Sequence, residues 1–245
     1  MSQTTIVTAF ITKVNNIDFR SYDTYLQYGN KLLSLDIPTI IFVEQYIYDS
    51  YYKDCLDLYP KTHFIIFEKH ENYLYNHLSQ ITNYEVETNN PLKDTIGYMF
   101  VQCHKTEWVR RAVQTNPFNT TNFTWIDFGI YHMIQDEEAL RQSMVQLSGH
   151  YYSTVRIASC IDPNEPLYND IYHQVAWFFA GSIFGGYADY LVSFADLMKQ
   201  KCIQIITEKN HIMWEVNIWY LLFKENPHLF DFYLCDHNIS ILHNY

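Results

Sequence analysis

The run Phe123-Thr-Trp-Ile-Asp-Phe-Gly-Ile-Tyr-His132 sets one carboxylate, Asp127, at the exit of an apolar strand. A dry charge is costly, so such a residue calls for a cation, a partner or water. Transfer of a sugar from a nucleoside diphosphate is one chemistry that suits it. The leaving diphosphate must be neutralised as its bond breaks, and a carboxylate-held Mg²⁺ or Mn²⁺ does this. The competing reading is local: Asp127 caps the next turn while Gly129 supplies a positive φ.

Four further groups could share that chemistry. Lys105, Arg110 and Arg111 lie on a helical segment just ahead, from which a cation could reach the diphosphate or the metal-binding acid; for the arginines a solvated face paired with Glu107 is the simpler reading. Ala180-Gly-Ser-Ile-Phe-Gly-Gly186 holds three of the chain's seven glycines and reads as a strand-to-helix turn. Gly181 and Gly186 could there let a ligand approach the backbone. Its spacing is neither a dinucleotide nor a P-loop fingerprint. Glu215 stands near the start of the most apolar helical stretch, beside Trp214 and Asn217. Buried, it could act as general base on an acceptor hydroxyl, with Asn217 binding sugar hydroxyls and Trp214 stacking on a sugar ring. In the tail, His237 or His243 could complete a metal site begun by Asp127, although lone histidines are more often structural.

The elements that must position these residues alternate. Strands are expected over Thr5–Ile11, Ile37–Glu44 and His63–Glu68, with helices over Tyr22–Ser34 and Asp49–Tyr59 between them, which implies parallel βαβ units. Helical patterning follows over Tyr73–Ile81, Leu92–Thr115, Gln135–Leu147, Tyr187–Thr207 and Ile212–Lys224. Strands are expected over Val155–Ile161, Ala176–Ile183 and Phe230–Leu234. Open α/β sheets place ligands beyond strand ends, where Asp127 and the glycine run are expected to meet. No repeat or linker divides the 245 residues, so one domain over 1–245 is expected.

Net charge is −11, which disfavours nucleic acid and anionic membrane surfaces as partners. Five scattered cysteines without a C-x-x-C argue for reduced thiols and against a zinc site. No basic leader precedes the first strand, and nowhere do 18 apolar residues run together, so a soluble cytoplasmic protein is expected.

Taken together, these segments resemble the HtrL/YibB-type family of bacterial and viral proteins, also described as WlaTC/HtrL-like glycosyltransferases. The resemblance runs end to end. It rests on T-I-V-T-A-F, then Arg20 and Tyr25, I-P-T-I-I-F, N-P-F-N-T-T-N-F-T-W-I-D-F-G-I, F-F-A-G-S-I-F-G-G, W-E-V-N and N-P-H-L-F. It implies a GT-A type glycosyltransferase, a nucleotide-sugar-binding α/β sheet with a divalent metal at a D-x-D motif. Asp127 matches the last acid of that motif, while position 125, where the first acid would stand, is Trp. A single-acid site completed by a histidine and the diphosphate, or a metal-independent enzyme, both remain open. Thr8, Ala9 and Phe10 would border the nucleoside, Gly181 and Gly186 the sugar and acceptor side, and Glu215 would match the acid of the late helix.

The expected function is therefore transfer of a sugar from a nucleoside-diphosphate sugar to an acceptor hydroxyl on a glycan, lipid or protein. The host cytoplasm would be its place if the chain is viral. A catalytically inactive nucleotide-sugar-binding module is the alternative, favoured by Trp125. A nucleotidyltransferase ranks last, because the loop Thr12–Arg20 lacks glycine.

Overall fold

The computed structural model describes residues 4–12, 21–133, 136–167 and 170–245. Arg20, most of the Thr12–Arg20 loop and Gln135 lie outside the described residues. Strand β1 (Thr4–Phe10) leads to α1 (Tyr22–Leu33), β2 (Thr39–Val43), the short α2 (Gln45–Ile47) and β3 (Thr62–Ile66). Helices α3 (Ile96–Cys103) and α4 (Lys105–Thr115) precede β4 (Asn122–Ile126). Then come α5 (Glu137–Leu147), β5 (Val155–Ser159), β6 (Phe179–Tyr187), α6 (Ala188–Lys209), α7 (Glu215–Glu225), β7 (Phe230–Leu234) and α8 (Ser240–His243).

Among the described residues seven strands form one sheet in the order β3-β2-β1-β4-β6-β5-β7. The expected α/β class, a mostly parallel sheet flanked by helices, is the one observed. β1 pairs in parallel with β2 and β4, β2 with β3, and β5 with β7. Only β6 runs against its neighbours. Both faces are covered, as the near-continuous apolar strands require. Val7, Phe42, Trp125 and Phe184 face a core shared with α4, α6 and α7, while Ile6, Ile126 and Ile183 face one shared with α5 and the C-terminal segment. Among the described residues no helix is long and apolar enough to cross a membrane, and all five cysteines are free.

Three expectations are corrected. The helical segment 92–115 is two helices broken at His104, whose buried ring wedges among Phe67, Tyr73 and Trp108. The expected helix Asp49–Tyr59 is a π turn, Tyr48–Tyr52, and a 3₁₀ turn, Leu56–Leu58. Most consequentially, the glycine run 181–186 is not a turn but the interior of β6. The tail also folds back, for Tyr245 is buried and its hydroxyl meets Thr124 Oγ1 at 3.0 Å.

Candidate functional site

The first four strands in space follow the order 3-2-1-4 of doubly wound nucleotide-binding sheets, in which the chain leaves β1 for opposite sides. A cleft of about 410 Å³ opens at this switch point, walled by Ala9 and Phe10 at the end of β1 and by Asp127 and Phe128 at the end of β4. A second cavity of about 230 Å³ adjoins it, walled by Gly181, Ser182, Trp214 and Glu215. Lys93, Tyr98, Gln102, Lys105, Asp127 and His132 belong to both. The two form one trough with an aromatic lobe, a charged waist and a mixed lobe. In the aromatic lobe Phe10 and Phe128 stack with centroids 4.9 Å apart.

Lys105 organises the waist. It is the first residue of α4, where the helix dipole disfavours a cation, and only 2% of it is exposed. Its Nζ donates to Gly181 O at 2.8 Å and Glu215 Oε1 at 3.1 Å, and lies 3.0 Å from Asp127 Oδ1. Burial opposes its charge. Asp127, followed by Glu215, outweighs that penalty through charge and hydrogen bonding, so the Lys105 pKa is raised. An ammonium has three donors, and all three are engaged. Of the two expected targets of Lys105, the diphosphate or the metal-binding acid, the structure shows the acid: Lys105 ties Asp127, Glu215 and a strand carbonyl together.

Trp125, standing where a first acid was sought, donates its indole Nε1–H to Asp127 Oδ1 at 2.8 Å. Its ring is held between Trp108, at 5.7 Å, and Phe184, at 6.5 Å. Asp127 thus has two donors on one oxygen, its side chain is 36% exposed, and it does not act as a turn cap. Gly129 is not among the positive-φ residues, so the local reading of Asp127 loses its support. Glu215 is the first residue of α7, where an acid is favoured, and 4% exposed. Gly181 makes room for it, since a Cβ there would come 2.2 Å from Glu215 Oε1.

The remaining expected residues divide. Ala9 and Phe10 line the aromatic lobe, but Thr8 is fully buried inside β1 and lines neither lobe. Trp214 walls the second lobe yet is only 5% exposed, which leaves little ring for stacking. Asn217 is wholly buried and bonded to backbone. Gly186 lies at the other end of β6, where φ of +147° and the nearby Thr154 carbonyl account for it, and it lines neither lobe. His237 borders the second lobe with Nε2 3.5 Å from Cys160 Sγ. His243 is exposed on α8 and borders neither lobe, and Arg110 and Arg111 pair with Glu107, Asp196 and Glu71. Among the described residues no three His, Cys, Asp or Glu side chains gather into a metal cage.

Sequence reasoning passed over Lys93, Tyr98, Gln102 and His132, all at the waist. Tyr98 and Gln102 sit four apart on α3, a spacing that shares a helix face but carries no chemical signature. Burial, together with Glu215 and Asp127, pushes the Tyr98 phenol well above its usual range.

The sequence model of a family described as "Bacterial protein of unknown function (HtrL_YibB)" matches residues 2–238. No curated protein matches the chain. Among solved structures, the apo crystal structure of mouse xyloside xylosyltransferase 1 aligns with a TM-score of 0.47 and 10% identity, covering 93% of this chain and 84% of that one. The 4-diphosphocytidyl-2C-methyl-D-erythritol synthase of Anaerococcus prevotii DSM 20548 aligns at 0.46 and 6% identity, covering 95% and 87%. Likenesses this distant say nothing about chemistry.

Proposed function

This chain belongs to the HtrL_YibB family, and from its trough we propose that it transfers a sugar from a nucleoside-diphosphate sugar to an acceptor hydroxyl. The observation that carries this reading is the three-part trough at the switch point: an aromatic lobe, a charged waist and a mixed lobe in series. A nucleoside, a diphosphate and a sugar have the same order of chemistry. Half-buried Tyr25 offers a ring to the base, in a lobe walled by the mutually stacked Phe10 and Phe128. Gln102, Lys93 and His132 offer polar contacts to the phosphates, and Ser182 and Glu215 face the sugar end.

The charges at the waist bear on the metal. Lys105 carries one positive charge against the negative charges of Asp127 and Glu215, and its donors are used. An arriving diphosphate gains no spare positive charge from this trio. The donor set therefore fits Mg²⁺ or Mn²⁺ brought with the nucleotide, with Asp127 as its protein ligand through the oxygen that Lys105 and Trp125 leave open. One carboxylate completed by phosphate oxygens and water is a common way of holding Mg²⁺. Bound there, the ion would neutralise the leaving diphosphate. A second ligand from His243 is not part of this proposal.

In the transfer itself the bond from the anomeric carbon to the diphosphate oxygen breaks as the bond to the acceptor oxygen forms, and the acceptor's proton ends on the departing diphosphate. Lys105 keeps Glu215 fixed at the sugar end of the trough. So held, Glu215 suits orientation of sugar hydroxyls and stabilisation of positive charge developing on the ring, rather than proton abstraction. Trp125 and Lys105 keep Asp127 in one orientation before substrate arrives, so reorganisation at the moment of reaction is small.

Asp127→Asn tests the reading. Slow hydrolysis of UDP-, GDP- and TDP-sugars with Mn²⁺ should fall by about 100-fold or more, while the circular dichroism spectrum stays unchanged. Undiminished turnover would count against the assignment. Donor binding without any hydrolysis by the wild type would instead identify an inactive binding module, the reading that Trp125 favours.

A further inference from the structure

Among the described residues four non-glycine positions have positive φ, and three of them are asparagines, the type that tolerates this conformation. The fourth is Trp177, with φ of +53°. Its two flanks are anchored. Upstream, the buried Asn217 accepts Ala176 N–H at 2.9 Å and donates to Ile171 O at 2.7 Å and Gln174 O at 2.8 Å. Downstream, Phe178 O accepts from Cys160 N and Ser159 Oγ, each at 2.9 Å, and the Phe178 ring stacks on Tyr220 at 4.2 Å. The strained residue is held between them.

The strain does not serve the core. Trp177 is 44% exposed on the wall of the mixed lobe. Its indole is braced edge-on by His237, with centroids 4.9 Å apart at 87°. On the same wall Ser182 is nine-tenths buried, and its hydroxyl has no hydrogen-bond partner among the described residues. A strained, over-anchored backbone that holds a partly exposed indole on a lobe wall, with an unpaired polar group buried in that wall, marks a ligand contact.

We propose that Trp177 is a carbohydrate-stacking platform: a pyranose in the mixed lobe lays its C–H face on the indole. The axial C–H bonds of a pyranose are weakly positive and the indole face is negative, so the two attract, and the flat apolar areas desolvate together. Asn217 and His237 act here as positioning residues. The proposal deepens the sugar-transfer reading and rests on it for the identity of the lobe. It also replaces the expected stacking role of the buried Trp214.

The test uses the full chain with Trp177→Ala and Trp177→Phe. Free methyl β-D-glucopyranoside, galactopyranoside and xylopyranoside are followed by saturation-transfer NMR. UDP, GDP and TDP and their glucose conjugates, with Mn²⁺, are followed by calorimetry. Trp177→Ala should weaken saccharide binding about tenfold, Trp177→Phe should stay within about threefold of wild type, and affinity for the bare nucleotides should not move. Loss confined to the free glycosides places the acceptor on the indole, and loss confined to the glucose conjugates places the donor sugar there. Wild type that binds neither, or Trp177→Ala that binds both as wild type does, overturns the platform. Failure of every bare nucleotide to bind wild type sinks the sugar-transfer reading, while the glycoside measurements still decide Trp177.

Discussion

Lys105 is the residue on which the site turns. Its contacts lie 22 residues away at Asp127, 76 at Gly181 and 110 at Glu215, so neither spacing nor periodicity could reveal the cluster. Asp127, Lys105 and Glu215 could each be nominated from sequence as charges in apolar surroundings. That one lysine joins the other two could not. Replacing Lys105 by Met leaves Glu215 buried without its partner, and such a loss typically costs about 3–5 kcal/mol. Urea denaturation of Lys105→Met should show destabilisation of that size, and adding Glu215→Gln should restore at least half of it. Equal stability of wild type and Lys105→Met would remove the tether from the account. Trp177 was invisible for a different reason: positive φ has a signature in glycine and asparagine but none in tryptophan.

At the level of elements, the parallel βαβ opening was legible because its strands are short, apolar and separated by helical patterning. β6 was not. Three glycines within Phe179–Tyr187 read as a turn, since glycine weakens a strand. The structure uses Gly181 for close approach instead, giving the Glu215 carboxylate room beside the strand backbone. Gly181→Ala would push a Cβ into that carboxylate, 2.2 Å away in the native geometry, and force it off Lys105. Overpacking of this kind costs about 1–3 kcal/mol. Thermal melting should show the loss in Gly181→Ala, and it should shrink when Glu215→Ala is added. Additive losses would mean that Gly181 and Glu215 do not meet. The break between α3 and α4 was equally hidden, because His104 continues the helical pattern that it interrupts.

For the whole molecule, His104 links the fold to pH. Burial, with Arg111, Lys199 and Arg110 nearby, lowers its pKa from the ordinary 6.5 to about 3. The unfolded chain therefore takes up a proton below about pH 6.5 that the folded chain refuses until about pH 3. Stability from this group is complete above pH 6.5 and falls with acid by about 1.4 kcal/mol per unit across that window. Between pH 7 and 4.5 the loss should be about 2.5 kcal/mol, and His104→Phe, which keeps a ring in the stack, should lose that much less. Identical acid slopes for the two proteins would show that His104 is not the group concerned. Lys105 works at the other extreme. Its raised pKa contributes stability that is complete below about 10.4, the usual lysine value, and fades only as pH climbs through the folded value.

The central claim is that the trough between the ends of β1 and β4 holds a sugar nucleotide. Crystals soaked with UDP, GDP or TDP and Mn²⁺ test it most directly. The account predicts a base beside Tyr25, in the lobe walled by Phe10 and Phe128, and a diphosphate at Asp127, with Lys105 still bound to Gly181 and Glu215. A nucleotide lodged elsewhere on the molecule, or an unchanged trough at millimolar concentrations of all three, would contradict it.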